Sequence, residues 1–270
     1  MPRARLTDGL ELNYELFGDA DAPVVVLVRG TGADGTRWMP QVEAYRDDFR
    51  VLIFDNRGVG GSDTPPGPYT VADMANDTVA LLDILGIDRC HLSGSSLGGA
   101  ICAHIAIEHP QRVRSLQMHS SWLATRGYTA YSLGLLHSFL VTGGVDFYYE
   151  AALPLLFSPQ FMSREHERLM GVLDHMKAHP ATYEGLLGQL QANLTHDVSG
   201  RASEITAPTL VTVGELDYLL PVAASEELQR AIPNAELVVF PGGPHLVTME
   251  TPERFNDVTL TWLRKVNGLN

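Results

Sequence analysis

Cys90-His91-Leu92-Ser93-Gly94-Ser95-Ser96-Leu97-Gly98-Gly99-Ala100 decides how the rest of this chain reads. It sets Gly-x-Ser-x-Gly, centred on Ser96, between a short apolar run and an alanine- and isoleucine-rich helical pattern. A serine hydroxyl is a poor nucleophile unless it is held exposed and a base takes its proton. A sharp strand-to-helix turn gives the exposure, and small residues two positions either side let the backbone make that turn. The helix beyond it directs backbone N–H groups to where negative charge develops on a substrate. In a chain with 25 glycines the pentapeptide alone is weak. Its setting gives it weight, and its centre selects Ser96 over the neighbouring Ser95.

That setting begins upstream. Val24-Val25-Val26-Leu27-Val28 is a continuous apolar stretch, as expected of a strand buried on both faces of a parallel sheet, and it runs into the glycine-rich turn Arg29 to Gly35. Val51-Leu52-Ile53-Phe54 predicts a second such strand, ending in Asp55-Asn56-Arg57-Gly58-Val59-Gly60-Gly61-Ser62. Thr70 to Leu85 predicts an amphipathic helix with Val71, Met74, Ala75, Thr78, Leu81, Leu82 and Leu85 on one face. Downstream, strands are predicted at Ser115–His119, at Thr209–Val213 and at Leu237–Phe240. The last two run into Gly214-Glu215-Leu216-Asp217 and Pro241-Gly242-Gly243-Pro244-His245. Strands alternating with helices predict an α/β fold with a mostly parallel central sheet flanked by helices, whose ligands gather at the strands' carboxyl ends. A serine, an acid and a histidine thus follow in that order, each just beyond a strand.

In these motifs, over nearly its whole length, the chain resembles the α/β-hydrolases with an inserted helical cap, the group holding esterases, lactonases, C–C bond hydrolases and proline iminopeptidases. The resemblance implies Ser96 as nucleophile, His245 as general base and Asp217, in preference to Glu215, as the acid orienting His245. It implies an oxyanion hole from the backbone N–H groups of Thr31 and Leu97, and a shaping, non-catalytic role for Asp55 to Ser62. Two departures stand out. Arg29-Gly30 replaces the family's usual His-Gly, and an arginine there either hydrogen-bonds locally or meets a substrate carboxylate or enolate-like oxygen. Leu97 stands where many C–C hydrolases and perhydrolases carry methionine. Arg29, Gly30, Trp122 and Leu246 are the expected substrate contacts.

Residues 122–200 differ in texture from the rest, lacking β-branched runs. Helices are expected around Tyr131–Val141, Val145–Phe157, Ser163–Ala178 and Tyr183–Asn193, with breaks at Gly143-Gly144, Ser158-Pro159 and His179-Pro180. The expected organisation is therefore a core of residues 1–121 and 201–270 with a cap over 122–200, which would exclude water and recognise substrate. Its many aromatic residues predict a cap core, with a few facing an apolar or aromatic group of a small-molecule substrate.

The net charge of −13 disfavours nucleic acid and anionic membrane surfaces as partners. No apolar run has the length of a membrane span and the basic start lacks a signal peptide's apolar stretch, so a cytoplasmic protein is expected. Oligomeric state, monomer or homodimer, is left open. Cys90 and Cys102 read as buried small hydrophobes, not as a disulfide. His175 and His179 are one helical turn apart, but Met176 stands where a zinc motif needs glutamate, so no metal is expected. Gly30-x-Gly32 and Gly58-Val59-Gly60 lack the third glycine of a dinucleotide fingerprint, so no cofactor is expected either. Serine, not aspartate, at position 96 argues against an epoxide hydrolase or dehalogenase. The expected reaction is hydrolysis of a small ester, lactone or related acyl bond. Its rivals are cofactor-free elimination or C–C cleavage with the same triad and Arg29 at the pocket, or ligand binding without turnover.

Overall fold

The computed structural model describes residues 1–178 and 181–269. In chain order its elements are β1 (Arg3–Arg5), β2 (Glu11–Phe17), β3 (Val24–Val28), α1 (Met39–Tyr45), β4 (Arg50–Phe54), α2 (Val71–Ile84), β5 (Cys90–Ser95), α3 (Leu97–Glu108) and β6 (Val113–His119). There follow α4 (Tyr128–Leu156), α5 (Pro159–Arg164), α6 (His166–Ala178), α7 (Tyr183–Thr195), β7 (Thr209–Gly214), α8 (Val222–Ala231), β8 (Ala235–Phe240), α9 (Val247–Glu250) and α10 (Pro252–Asn267). The strands form one sheet in the order β1-β2-β4-β3-β5-β6-β7-β8. β1 and β2 are antiparallel additions at one edge, and every pairing from β4 onward is parallel.

Alternation along the central strands builds two cores. Val26 pairs in register with Leu52 and Leu92, and Leu92 with Leu116, so this row enters one face together with Ile101 and Ile105 of α3. Val25, Leu27, Val51 and Ile53 point the other way, onto Trp38, Phe255 and Leu263 of the α1 and α10 side. Because both faces are covered, β3 and β4 carry continuous apolar runs instead of alternating ones. α3 is buried from Leu97 through Ile107 except for a partly exposed His104, since it lies against β5, β6 and α2. The predicted helix after the second strand begins at a capping box in which Thr70 accepts from the Asp73 N–H and Asp73 accepts from Thr70.

β1 and β2 were absent from the sequence expectation. β1 is a three-residue edge strand and β2 a half-buried strand between β1 and β4, and neither has a strong apolar period. The two helices expected around Tyr131–Val141 and Val145–Phe157 are both present within α4, which is interrupted at Gly144, where φ of +76° and ψ of −171° are not helical. The helix expected from Ser163 is split into α5, capped by Ser158, and α6, which starts at His166. His179-Pro180, and with it any statement about the His175–His179 pair, lies outside the described residues. Cys90 and Cys102 are buried free thiols. No helix among the described residues is long and apolar enough to cross a membrane.

Candidate active site

Close backbone packing makes the turn after β5. A Cβ on Gly94 would lie 2.2 Å from the Gly98 carbonyl oxygen, and one on Gly98 would lie 2.1 Å from that of Val28. Only hydrogen fits at either place, so β5, α3 and β3 meet at contact distance. The turn residue between them, Ser96, takes φ +54° and ψ −120°, a conformation L-residues adopt only when the surroundings impose it. Its N–H donates to the His119 carbonyl at 2.8 Å, and its own carbonyl accepts from the Ser121 hydroxyl at 3.1 Å. Its side chain lies over Gly30, where a Cβ would come within 3.7 Å of Ser96 Oγ.

Asp217 and His245 arrive from the ends of β7 and β8. His245 Nδ1 meets Asp217 Oδ2 at 2.8 Å, with both side chains almost fully covered. The second carboxylate oxygen, Oδ1, accepts the N–H groups of Leu219 at 3.0 Å and Leu220 at 2.8 Å. That turn fixes which oxygen faces the imidazole. Glu215, the competing acid, instead accepts the Gly242 N–H at the surface. The structure therefore brings His245 to Asp217 and not to Glu215. Ser96 and His245 open onto the same cavity, and among the described residues the Ser96 hydroxyl makes no hydrogen bond.

The cavity encloses about 930 Å³ of atom-free space, its mouth included. Its floor holds Arg29, Gly30, Thr31, Ser95 and Ser96, and its walls come from α4, α6 and α7, with Leu246 and Met249 on the far side. Leu133, Leu136, Leu153, Leu156 and Phe157 make most of that wall apolar. The Thr31 and Leu97 N–H groups donate to no other group among the described residues. Two side chains that the sequence did not single out hold the Thr31 loop. Asn193 Nδ2 donates to Thr31 Oγ1 and Gln189 Oε1 accepts the Gly32 N–H, each at 2.8 Å. Gln189 also donates to the Arg57 carbonyl at 2.8 Å. Their i,i+4 spacing on an otherwise leucine-rich face of α7 was the only available signal. Asn193 Oδ1 is buried without a partner beside the cavity. Tyr148 and Tyr149 also line it, and burial raises both phenols, which stay protonated.

Trp122 does not belong with the substrate contacts. It is 1% exposed, donates Nε1 to Thr125 Oγ1 at 2.8 Å, packs edge-on against His196, and is absent from the cavity wall. Of the aromatics expected in the cap core, Tyr148, Tyr149 and Phe157 are buried, whereas Tyr128, Tyr131 and Phe147 are exposed. Gly30 and Leu246 do line the cavity. Arg29 lines it as well, with its guanidinium 4.7 Å over the Trp38 ring and Nε and Nη1 unpartnered. Burial, and then the charge of Arg37, pull it down to about 10. Asp55 acts away from the cavity. Its carboxylate accepts from Gly35 N, Gly61 N and Asn13 Nδ2 at 2.7 to 2.8 Å, tying two loops to β2. Among the described residues no cluster of three or more metal-ligating side chains occurs.

Residues 23–143 match the alpha/beta hydrolase fold family. A protein of Serratia proteamaculans named "Putative carbamate hydrolase RutD" is 34% identical over 94% of this chain and 97% of its own length. A protein of the same name from Pantoea ananatis is 32% identical over 93% of both. Among solved structures, an enol-lactonase of Burkholderia xenovorans superposes with a TM-score of 0.87, at 29% identity over 97% of this chain and 99% of that one. A thermophilic esterase of Thermogutta terrifontis gives a TM-score of 0.88, at 29% identity over 98% and 99%. With full-length relatives at this identity and an eight-stranded, mostly parallel sheet of the same architecture, the chain belongs to the α/β-hydrolase fold family and is a hydrolase of that family.

Proposed function

We propose that the protein is a serine hydrolase that cleaves a small ester, lactone or related acyl bond. The observation that carries this reading is the 2.8 Å His245–Asp217 pair opening, together with the strained Ser96, onto one apolar cavity. Ser96 Oγ attacks the substrate carbonyl while His245 Nε2 takes its proton, and Asp217 holds the imidazole in the right tautomer and steadies the imidazolium that forms. The Thr31 and Leu97 N–H groups receive the developing oxyanion. His245 then returns its proton to the leaving group, and water activated by the same imidazole releases the acid.

In this reading residues 122–200 are the cap and residues 1–121 and 201–270 the catalytic core. α4, α6 and α7 exclude water and select a substrate with an apolar or aromatic part. The names of the relatives, carbamate hydrolase, enol-lactonase and esterase, all describe cleavage at a carbonyl and support the same chemistry. The test is turnover of p-nitrophenyl acyl esters across chain lengths, wild type beside Ser96→Ala. Turnover in the wild type that falls by about four orders of magnitude or more in the variant, with circular dichroism unchanged, is the expected result. Wild-type-level activity in Ser96→Ala would sink the assignment. A folded wild type inert on every ester would instead favour C–C cleavage or elimination, with Arg29→Ala as the next variant, or binding without turnover.

A further inference from the structure

Charge inside the cavity runs opposite to charge on the chain. The chain carries 32 acidic and 19 basic residues, yet among the described residues the only arginines, lysines, aspartates or glutamates on the cavity wall are Arg29 and Arg37. Neither forms an ion pair with a described residue. Arg29 is 2% exposed, with Nε and Nη1 unpartnered, and the Trp38 indole covers one face of its guanidinium. Arg37 is half-buried, and no carboxylate oxygen among the described residues lies within 4.0 Å of its nitrogens. Arg57 shows the usual alternative, since its guanidinium, partly covered, pairs in bidentate fashion with Asp77 at 2.6 Å. Asp34, whose charge favours the charged form of Arg29, forms no ion pair with either arginine, and its Oδ1 accepts the Thr36 N–H at 2.9 Å.

An unpaired guanidinium held out of water is costly, and two close to each other more so. After burial itself, the charge of Arg37 is the next cause of the depressed Arg29. A bound anion removes both penalties at once. Arginine is also the side chain whose planar fork matches a carboxylate.

We infer that the cavity takes an acyl substrate bearing a carboxylate on its apolar part, with Arg37 contacting that carboxylate and Arg29 supplying fixed positive potential from the wall beneath. The inference rests on the hydrolase reading and narrows it to anionic substrates. Arg37 stands where the cavity meets a second depression lined by Gly32, Asp34, Gly58, Gly60 and Tyr149. The carboxylate therefore sits toward that opening, while the scissile carbonyl lies at Ser96.

Two measurements test this, one of them independent of turnover. Glutarate is titrated against the wild type and Arg37→Ala in a thermal-unfolding assay at matched ionic strength, with sodium chloride as the control. Glutarate should raise the wild-type midpoint and leave Arg37→Ala unmoved. An equal rise in both, or none in either, overturns the inference. In the second, kcat/KM is compared between the p-nitrophenyl monoesters of glutaric acid and of valeric acid. The anionic ester should be preferred about tenfold or more, and Arg37→Ala should collapse that ratio chiefly through KM, with Arg37→Lys intermediate. A wild type that prefers the neutral ester, or a ratio untouched in Arg37→Ala, overturns it. If neither ester is turned over, the hydrolase reading has failed, while the glutarate titration still decides the anion site.

Discussion

Asp217→Asn is the substitution whose outcome the structure constrains most closely. Asn is isosteric with Asp, so the question is which way its amide faces. Asp217 Oδ1 accepts two backbone N–H groups, from Leu219 and Leu220, at 3.0 and 2.8 Å. An NH2 group on that side would set donor against donor and leave two buried N–H groups unsatisfied, at about 1–3 kcal/mol each. The amide oxygen must therefore stay there, and the NH2 must face His245 Nδ1, now 2.8 Å from Oδ2. Nδ1 then becomes an acceptor, the ring proton moves to Nε2, and no base remains to take the Ser96 proton. Ser-His-Asp enzymes lose about 10⁴ in kcat when the acid is made an amide, or about 5 kcal/mol of transition-state stabilisation. We expect a loss of that size in ester turnover, measured by steady-state kinetics. The thermal-unfolding midpoint should change little, because every hydrogen bond is kept. A folded variant whose kcat stays within tenfold of wild type would refute the tautomer argument and, with it, the role given to Asp217.

The remaining predictions concern stability. His119 is held between Ser93 Oγ at 2.9 Å and Thr212 Oγ1 at 2.8 Å, and burial, reinforced by the charge of Arg29, pushes it down to about 3 from its usual 6.5. The folded chain thus resists a proton that the unfolded chain accepts below about 6.5, so this contribution is complete above that pH and is lost as pH falls toward 3. At pH 5 the loss is about 2 kcal/mol from His119, and His91 and His196, each pushed by burial to about 4, act in the same sense. Urea unfolding should show wild-type stability dropping between pH 8 and pH 5, with His119→Gln flattening the drop by about 2 kcal/mol; a wild-type stability that is level over that range would refute this. Gly98→Ala places a methyl 2.1 Å from the Val28 carbonyl oxygen, backbone against backbone, and should cost about 3 kcal/mol in the same assay. An unchanged urea midpoint would mean that the elbow is looser than its geometry shows.

Local patterns reached furthest where one residue's neighbours in sequence are also its constraints. The strands β3 and β4 were legible because burial on both faces demands continuous apolar runs, and the elbow after β5 because Gly94 and Gly98 leave no room for a side chain. The Gly143-Gly144 break was legible because glycine interrupts a helix, and Gly144 does leave helical φ and ψ between the two halves of α4. β1 and β2 were illegible because they bury little apolar area and are held by pairing with distant residues, such as Tyr14 opposite Phe54.

The candidate site divides along the same line. Chain order and strand ends pointed to Ser96, an acid at 215 or 217 and His245, with the family resemblance preferring Asp217, because a strand delivers its next residue to one edge of the sheet whatever the rest of the chain does. Everything that depends on which distant side chains meet lay beyond it: Trp122 turned into the interior against His196, and Gln189 and Asn193 gripping the Thr31 loop. The pairing of Arg29 with Arg37 on a wall free of carboxylates belongs with these. By itself, then, the sequence determined the parallel strands, the elbow and the order of the three polar residues, since these follow from local backbone sterics and hydrophobic periodicity. Only the tertiary structure decided the cavity's walls and its charge, because those are set by contacts between residues tens to hundreds of positions apart, for which a single chain carries no periodic signal.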